Sequence, residues 1–75
     1  MDATRIETKP DVLGGKPVIR GTRLAVDFVL ELLSNGWAIA DIVDNYPGVQ
    51  DDDVRACLAY ASERLREEDI LPLSA

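Results

Sequence analysis

The chain has 75 residues, a net charge of -6, one cysteine and no histidine. That length supports one small domain, marginal unless a disulfide, a metal or a partner chain adds stability. The lone Cys57 excludes an internal disulfide and fits a reducing cytoplasm, and the missing histidine argues against a zinc site and removes the commonest general base.

There is no apolar run of about 18 residues and no signal-peptide pattern. The expectation is a cytoplasmic protein without membrane contact, gaining stability as a homodimer. Charge is unevenly spread. Residues 1–26 carry five Lys/Arg against three Asp/Glu, and residues 27–75 carry three against eleven. An acidic second half repels phosphate backbones and suits a basic protein surface.

In chain order, a short strand is predicted over Arg5–Thr8, stopped by Pro10. "KPVIRGTRLAV" reads as two extended runs, Val18–Ile19 and Arg23–Ala25, around a turn. Gly21 supplies the positive φ there and the Thr22 hydroxyl supports it. Pro17, which donates no ladder bond, points to an edge strand.

The apolar period then changes from 2 to 3.6. Phe28, Val29, Leu32 and Leu33 form the buried stripe of a first helix, with Asp27 as its N-cap and Asn35-Gly36 as its stop. Ile39, Ile42, Val43 and Tyr46 line a short second helix ended by Pro47. Val54, Cys57, Leu58, Ala61 and Leu65 line a long third helix, with Asp51, Asp52 and Asp53 favouring its dipole. "ILPL" is either a short strand or an extended tail.

The predicted fold is mainly α: a three-helix, helix-turn-helix-like core behind a short N-terminal β hairpin or strand element. It forms one domain over residues 1–75, with the β element at about 5–26, the helices at 27–68 and a tail at 69–75.

Few residues suggest chemistry. Cys57 lies on an apolar stripe, as a buried small hydrophobe would. Adjacent helical residues diverge by about 100°, so Asp51–Asp53 do not converge on one ion. The glycines of "VLGGKPVIRGT" lack phosphate-loop spacing. The expectation is a non-enzyme with no catalytic residue, cofactor or metal.

For DNA, the leading residues of the second helix of a helix-turn-helix enter the major groove. Here those positions hold Asp51–Asp53, or the uncharged start of "AIADIVDN". Lys16, Arg20 and Arg23 remain the candidate anion or nucleic-acid contacts. The alternative is that Arg20 and Arg23 pair with acids such as Asp27 and Glu31. Trp37 either packs over the second helix or anchors an interface. Arg64 and Arg66, with the apolar tail residues Ile70, Leu71 and Leu73, are the candidate partner contacts.

The runs "VLGGKPVIRGTRLAVDFVLELLSNG", "IADIVDNYPGV", "VRACLAYASERL" and "ILPL" resemble the domain of unknown function 433 family, over about Ile6 to Leu73. Its motif falls on Gly14, Gly15, Lys16, Pro17, Gly21, Thr22 and Arg23. The resemblance implies a VapB-type antitoxin that binds and silences a PIN-like, metal-dependent ribonuclease toxin. The alternative is a helix-turn-helix transcriptional regulator, an autorepressor alone or with the toxin. The chain departs from the family at Ala38 and Gln50, where Ser or Thr is usual. Each change costs about 1 kcal/mol as an N-cap, and Asp41 and Asp51–Asp53 offset part of it through the helix dipole.

Overall fold

The computed structural model describes residues 5–67. Strand β1 (Ile6–Glu7) and strand β2 (Val18–Ile19) precede helices α1 (Val26–Ser34), α2 (Ile39–Asn45) and α3 (Asp51–Glu67). This is the expected three-helix core with a small antiparallel β element. Among the described residues, no helix is long and apolar enough to cross a membrane.

The β element pairs differently from the expected hairpin. β2 takes β1 as its antiparallel partner, with Ile6 opposite Ile19 and Glu7 opposite Val18. The Arg23–Ala25 run contributes only one bridge, Ala25 to Val18. The reason is the early start of α1. Val26 N–H already donates to the Pro17 carbonyl at 2.9 Å, so the chain enters the helix before a second strand can extend. Ladder contacts on both sides of Val18 make β2 central rather than an edge. The predicted first strand shortens from Arg5–Thr8 to Ile6–Glu7.

The turn itself forms as read. Gly21 sits at φ 79°. The Thr22 hydroxyl donates to the Ile19 carbonyl at 2.8 Å and accepts from Leu24 N–H at 3.0 Å.

α1 begins two residues earlier than the predicted Asp27 cap implies. Its N-cap is Ala25 and Asp27 lies in the first turn, where it favours the dipole without capping. The helix ends in a Schellman arrangement. Gly36, at φ 97°, donates to Leu33 O, and Trp37 N–H donates to Leu32 O, both at 3.1 Å.

Ile19, Val26, Val29, Leu32, Ile42, Val49, Val54 and Cys57 form the core. Trp37, Ile39, Tyr46 and Tyr60 pack partly buried against it. Three residues assigned to buried stripes are exposed: Phe28 (38%), Leu58 (43%) and Leu65 (56%). Phe28 lies at the rim of α1's apolar face. Leu58 and Leu65 lie on a flank of α3 that no described element covers, Leu65 at the margin of a hollow against α1.

Candidate partner-binding surfaces

The glycine-punctuated segment turns most of its cations inward to the chain's own acids. Lys16 Nζ donates to Asp27 Oδ2 at 3.1 Å. Arg20 Nη1 lies 3.7 Å from Glu7 Oε1, and Lys9 Nζ lies 3.8 Å from Glu7 Oε2. The same Glu7 accepts from Gly21 N–H at 3.3 Å. Glu7 on β1 is therefore the hub beneath the turn. This corrects the pairing expected from sequence proximity, because Arg20 reaches Glu7 and Asp27 serves Lys16. Arg23 is exposed and forms no ion pair among the described residues.

The two poor N-caps are rescued by specific hydrogen bonds as well as by the dipole. Asp41 Oδ2 accepts from Ala38 N–H at 2.8 Å, and Asp53 Oδ2 accepts from Gln50 N–H at 2.8 Å. These bonds are the reverse half of a capping box, in which the third helical residue reaches back to the residue before the helix.

Asp53 does more than this. It is 7% exposed. Its other oxygen accepts from Arg5 Nη1 at 2.8 Å, while Arg5 Nη2 stands 3.7 Å from Asp52. The carboxylate thus staples the entry of β1 to the start of α3. Asp51 holds Arg55 one turn on, at 2.6 Å. The three consecutive acids have three separate tasks. The capping half of Asp53 was visible in the sequence as a carboxylate three residues after Gln50. The Arg5 half spans 48 positions and left no local signal.

Burial, reinforced by the nearby Asp53 charge, pushes the Cys57 thiol up to about 11. At neutral pH it is a protonated, enclosed core group, with the character of a small hydrophobe.

Exposed hollows surround this core. Thr22, Arg23, Leu24, Tyr46, Pro47 and Val49 line one of about 300 Å³. Beside it the Phe28 and Tyr46 rings meet edge to face at 6.0 Å, and Trp37 tilts against Tyr46 at 6.4 Å. Trp37 is therefore half-buried, meeting Tyr46 of the α2 end as a packing residue while keeping an accessible edge. A second hollow of about 350 Å³ is almost wholly apolar, and lies between α1 and the outer half of α3. Arg64 stands at its lip and Arg66 is exposed on the last turn. Ile70, Leu71 and Leu73, the tail residues expected to touch a partner, lie outside the described residues.

The pattern of the family described as protein of unknown function (DUF433) matches residues 6–61. The chain belongs to the DUF433 family. An uncharacterized protein of Sinorhizobium fredii, y4eO, is 32% identical over 56 residues, which are 75% of this chain and 25% of that protein. The chain thus spans about a quarter of that relative's length. The crystal structure of a DUF433 member from Anabaena variabilis superposes with a TM-score of 0.77 at 29% identity. It covers 87% of this chain, which corresponds to 64% of that one. The DUF433 match takes in the β element, α1, α2 and the buried half of α3. It stops at Ala61, so Arg64, Leu65 and Arg66 lie beyond it.

Proposed function

We propose that this DUF433 protein is the antitoxin of a toxin-antitoxin pair, a protein-binding module that neutralises a PIN-like ribonuclease in the cytoplasm. One observation carries the choice of a protein partner over DNA. Of the chain's eight Lys and Arg residues, five are held by its own carboxylates: Arg5, Lys9, Lys16, Arg20 and Arg55. Arg23, Arg64 and Arg66 form no ion pair among the described residues. Two of these three stand together at the far end of α3.

A DNA-binding face needs many unneutralised cations, because affinity comes largely from phosphate contacts. A metal nuclease instead presents a cluster of metal-binding carboxylates. Two guanidinium groups on an exposed helix end suit that target, either by covering the substrate path or by placing a cation among the metal ligands. Accessible aromatic edges at Phe28, Tyr46 and Trp37 add residue types that anchor protein interfaces.

The experiment is co-purification with the product of the adjacent reading frame, followed by a ribonuclease assay with and without this chain. A stable complex that loses nuclease activity supports the reading, and reversing Arg64 and Arg66 to Glu then weakens neutralisation while the fold persists. Inhibition unchanged by the reversal removes these arginines from the mechanism. If no complex forms, the regulator reading gains. Its test is DNA affinity that falls steeply with salt and depends on Arg23.

A further inference from the structure

α3 outruns the core built around it. Its 17 residues extend about 25 Å, against about 13 Å for the nine of α1. The face that buries Val54 and Cys57 continues outward as Tyr60, Ala61, Arg64 and Leu65. Among the described residues it meets the edge of α1 there, at Val26 and Leu30, and Pro17, and these leave the apolar groove open. Next to the groove, Leu58, Ala61 and Leu65 stand three and four residues apart on one side of the helix, the spacing of a packing seam. A groove and a leucine ridge that no other described residue covers are thus neighbours on the same helix.

Charge selects the occupant. The molecule carries a net -6, so most of its faces repel a second copy. This face does not. Of the acids of α3, Asp53 is engaged by the cap and Arg5, and Asp51, on the leucine side, is paired with Arg55; Asp52, Glu63 and Glu67 lie roughly 150° round the helix from the leucines. The one carboxylate at the groove, Asp27, is bound to Lys16, and Arg64 stands at the lip.

We infer that the groove and the Leu58–Ala61–Leu65 ridge form a two-fold interface with a second copy of this chain, the two α3 helices packing antiparallel. An antiparallel pairing centred between Ala61 and Ser62 sets Leu58 of each copy against Leu65 of the other. The two helix dipoles then oppose each other favourably. A two-fold contact uses the same patch twice, so one helix can supply both ridge and groove. It also completes the core of a chain too short to bury much surface alone. Arg64 and Arg66, each roughly 100° from the ridge, remain at the rim. The dimer and a ribonuclease partner are therefore separable, and the inference does not rest on the antitoxin reading.

Sedimentation velocity of the full chain across the micromolar range tests it, with circular dichroism confirming helicity of each variant. The wild type is expected to sediment as a dimer. Leu65→Asp weakens dimerisation by about 30-fold or more, as for an interface hot spot, while helicity is retained. Glu63→Ala on the far side of α3 and Leu71→Asp in the tail leave the dimer unchanged. A wild type that stays monomeric throughout overturns the inference, as does a dimer that survives Leu65→Asp. A dimer lost in Leu71→Asp but not in Leu65→Asp also overturns it, because the tail then forms the contact.

Discussion

The two halves of α3 carry the same apolar spacing and meet opposite fates. Val54 and Cys57 in the first half are completely buried, whereas Leu65 in the second is 56% exposed. The first half is clamped by the Arg5–Asp53 pair at its start and roofed by β1, α1 and α2. Among the described residues, the second half has the rim of α1 and Pro17 beside it. A helical stripe states that a surface is apolar. What lies across from it decides whether that surface is core or interface.

The largest effect is expected from placing the same charge on each half. Val54→Asp puts an unpaired carboxylate in the core and abolishes cooperative unfolding, because burying an unpaired charge costs several kcal/mol in a domain of this size. Leu65→Asp leaves the thermal transition of the monomer within about 0.5 kcal/mol of wild type. Equal damage at both sites would erase the distinction between the halves.

Next in size is the clamp. Asp53→Ala removes the Gln50 N–H acceptor and the 2.8 Å partner of Arg5, a loss of about 2 kcal/mol in chemical denaturation. Asp52→Ala, with the longer contact to Arg5, costs less than about 1 kcal/mol. Similar losses at the two positions would show that Asp53 is not the staple.

The Cys57 thiol sharpens the boundary of the buried half through pH. Its folded value is raised from 9.0 to about 11 by burial and by Asp53. The unfolded thiol therefore ionises first. Stability from this group is complete below pH 9 and is lost as pH rises from about 9 to about 11. Cys57→Ala should flatten that part of the pH–stability curve. In the native wild type, alkylation at pH 8 should proceed only as fast as the protein opens.

The smallest expected effect lies away from α3, in the loop before β2. Leu13 is exposed and sits at φ 49°, a left-handed backbone that leucine adopts at a cost. Leu13→Asn relieves it and raises stability by about 1 kcal/mol. A lowered melting temperature would mean that the leucine side chain contributes a contact that outweighs the strain.

Residue type alone marks Arg64, Arg66 and Trp37 as candidate contacts, and all three keep accessible atoms. Lys16 and Arg20 read as equally available to an anion, yet they are engaged by Asp27 and Glu7. The role of Glu7 has no local signal, because it lies on the other strand and no short spacing connects residue 7 to residues 20 and 21.

By itself the sequence determined the order of elements, the Gly21-Thr22 turn, the stop at Asn35-Gly36 and the carboxylates that support α2 and α3. Each of these rests on interactions within a few residues, where glycine, a hydroxyl or an acid acts on adjacent backbone. Only the tertiary structure decided that β2 pairs with β1, that Asp53 holds Arg5, and that α3 extends past its own core. Those outcomes depend on which surfaces meet across long stretches of chain. Periodicity marks a face as apolar without saying what covers it, and in this protein the proposed interfaces lie at the end of α3 that no other described residue covers.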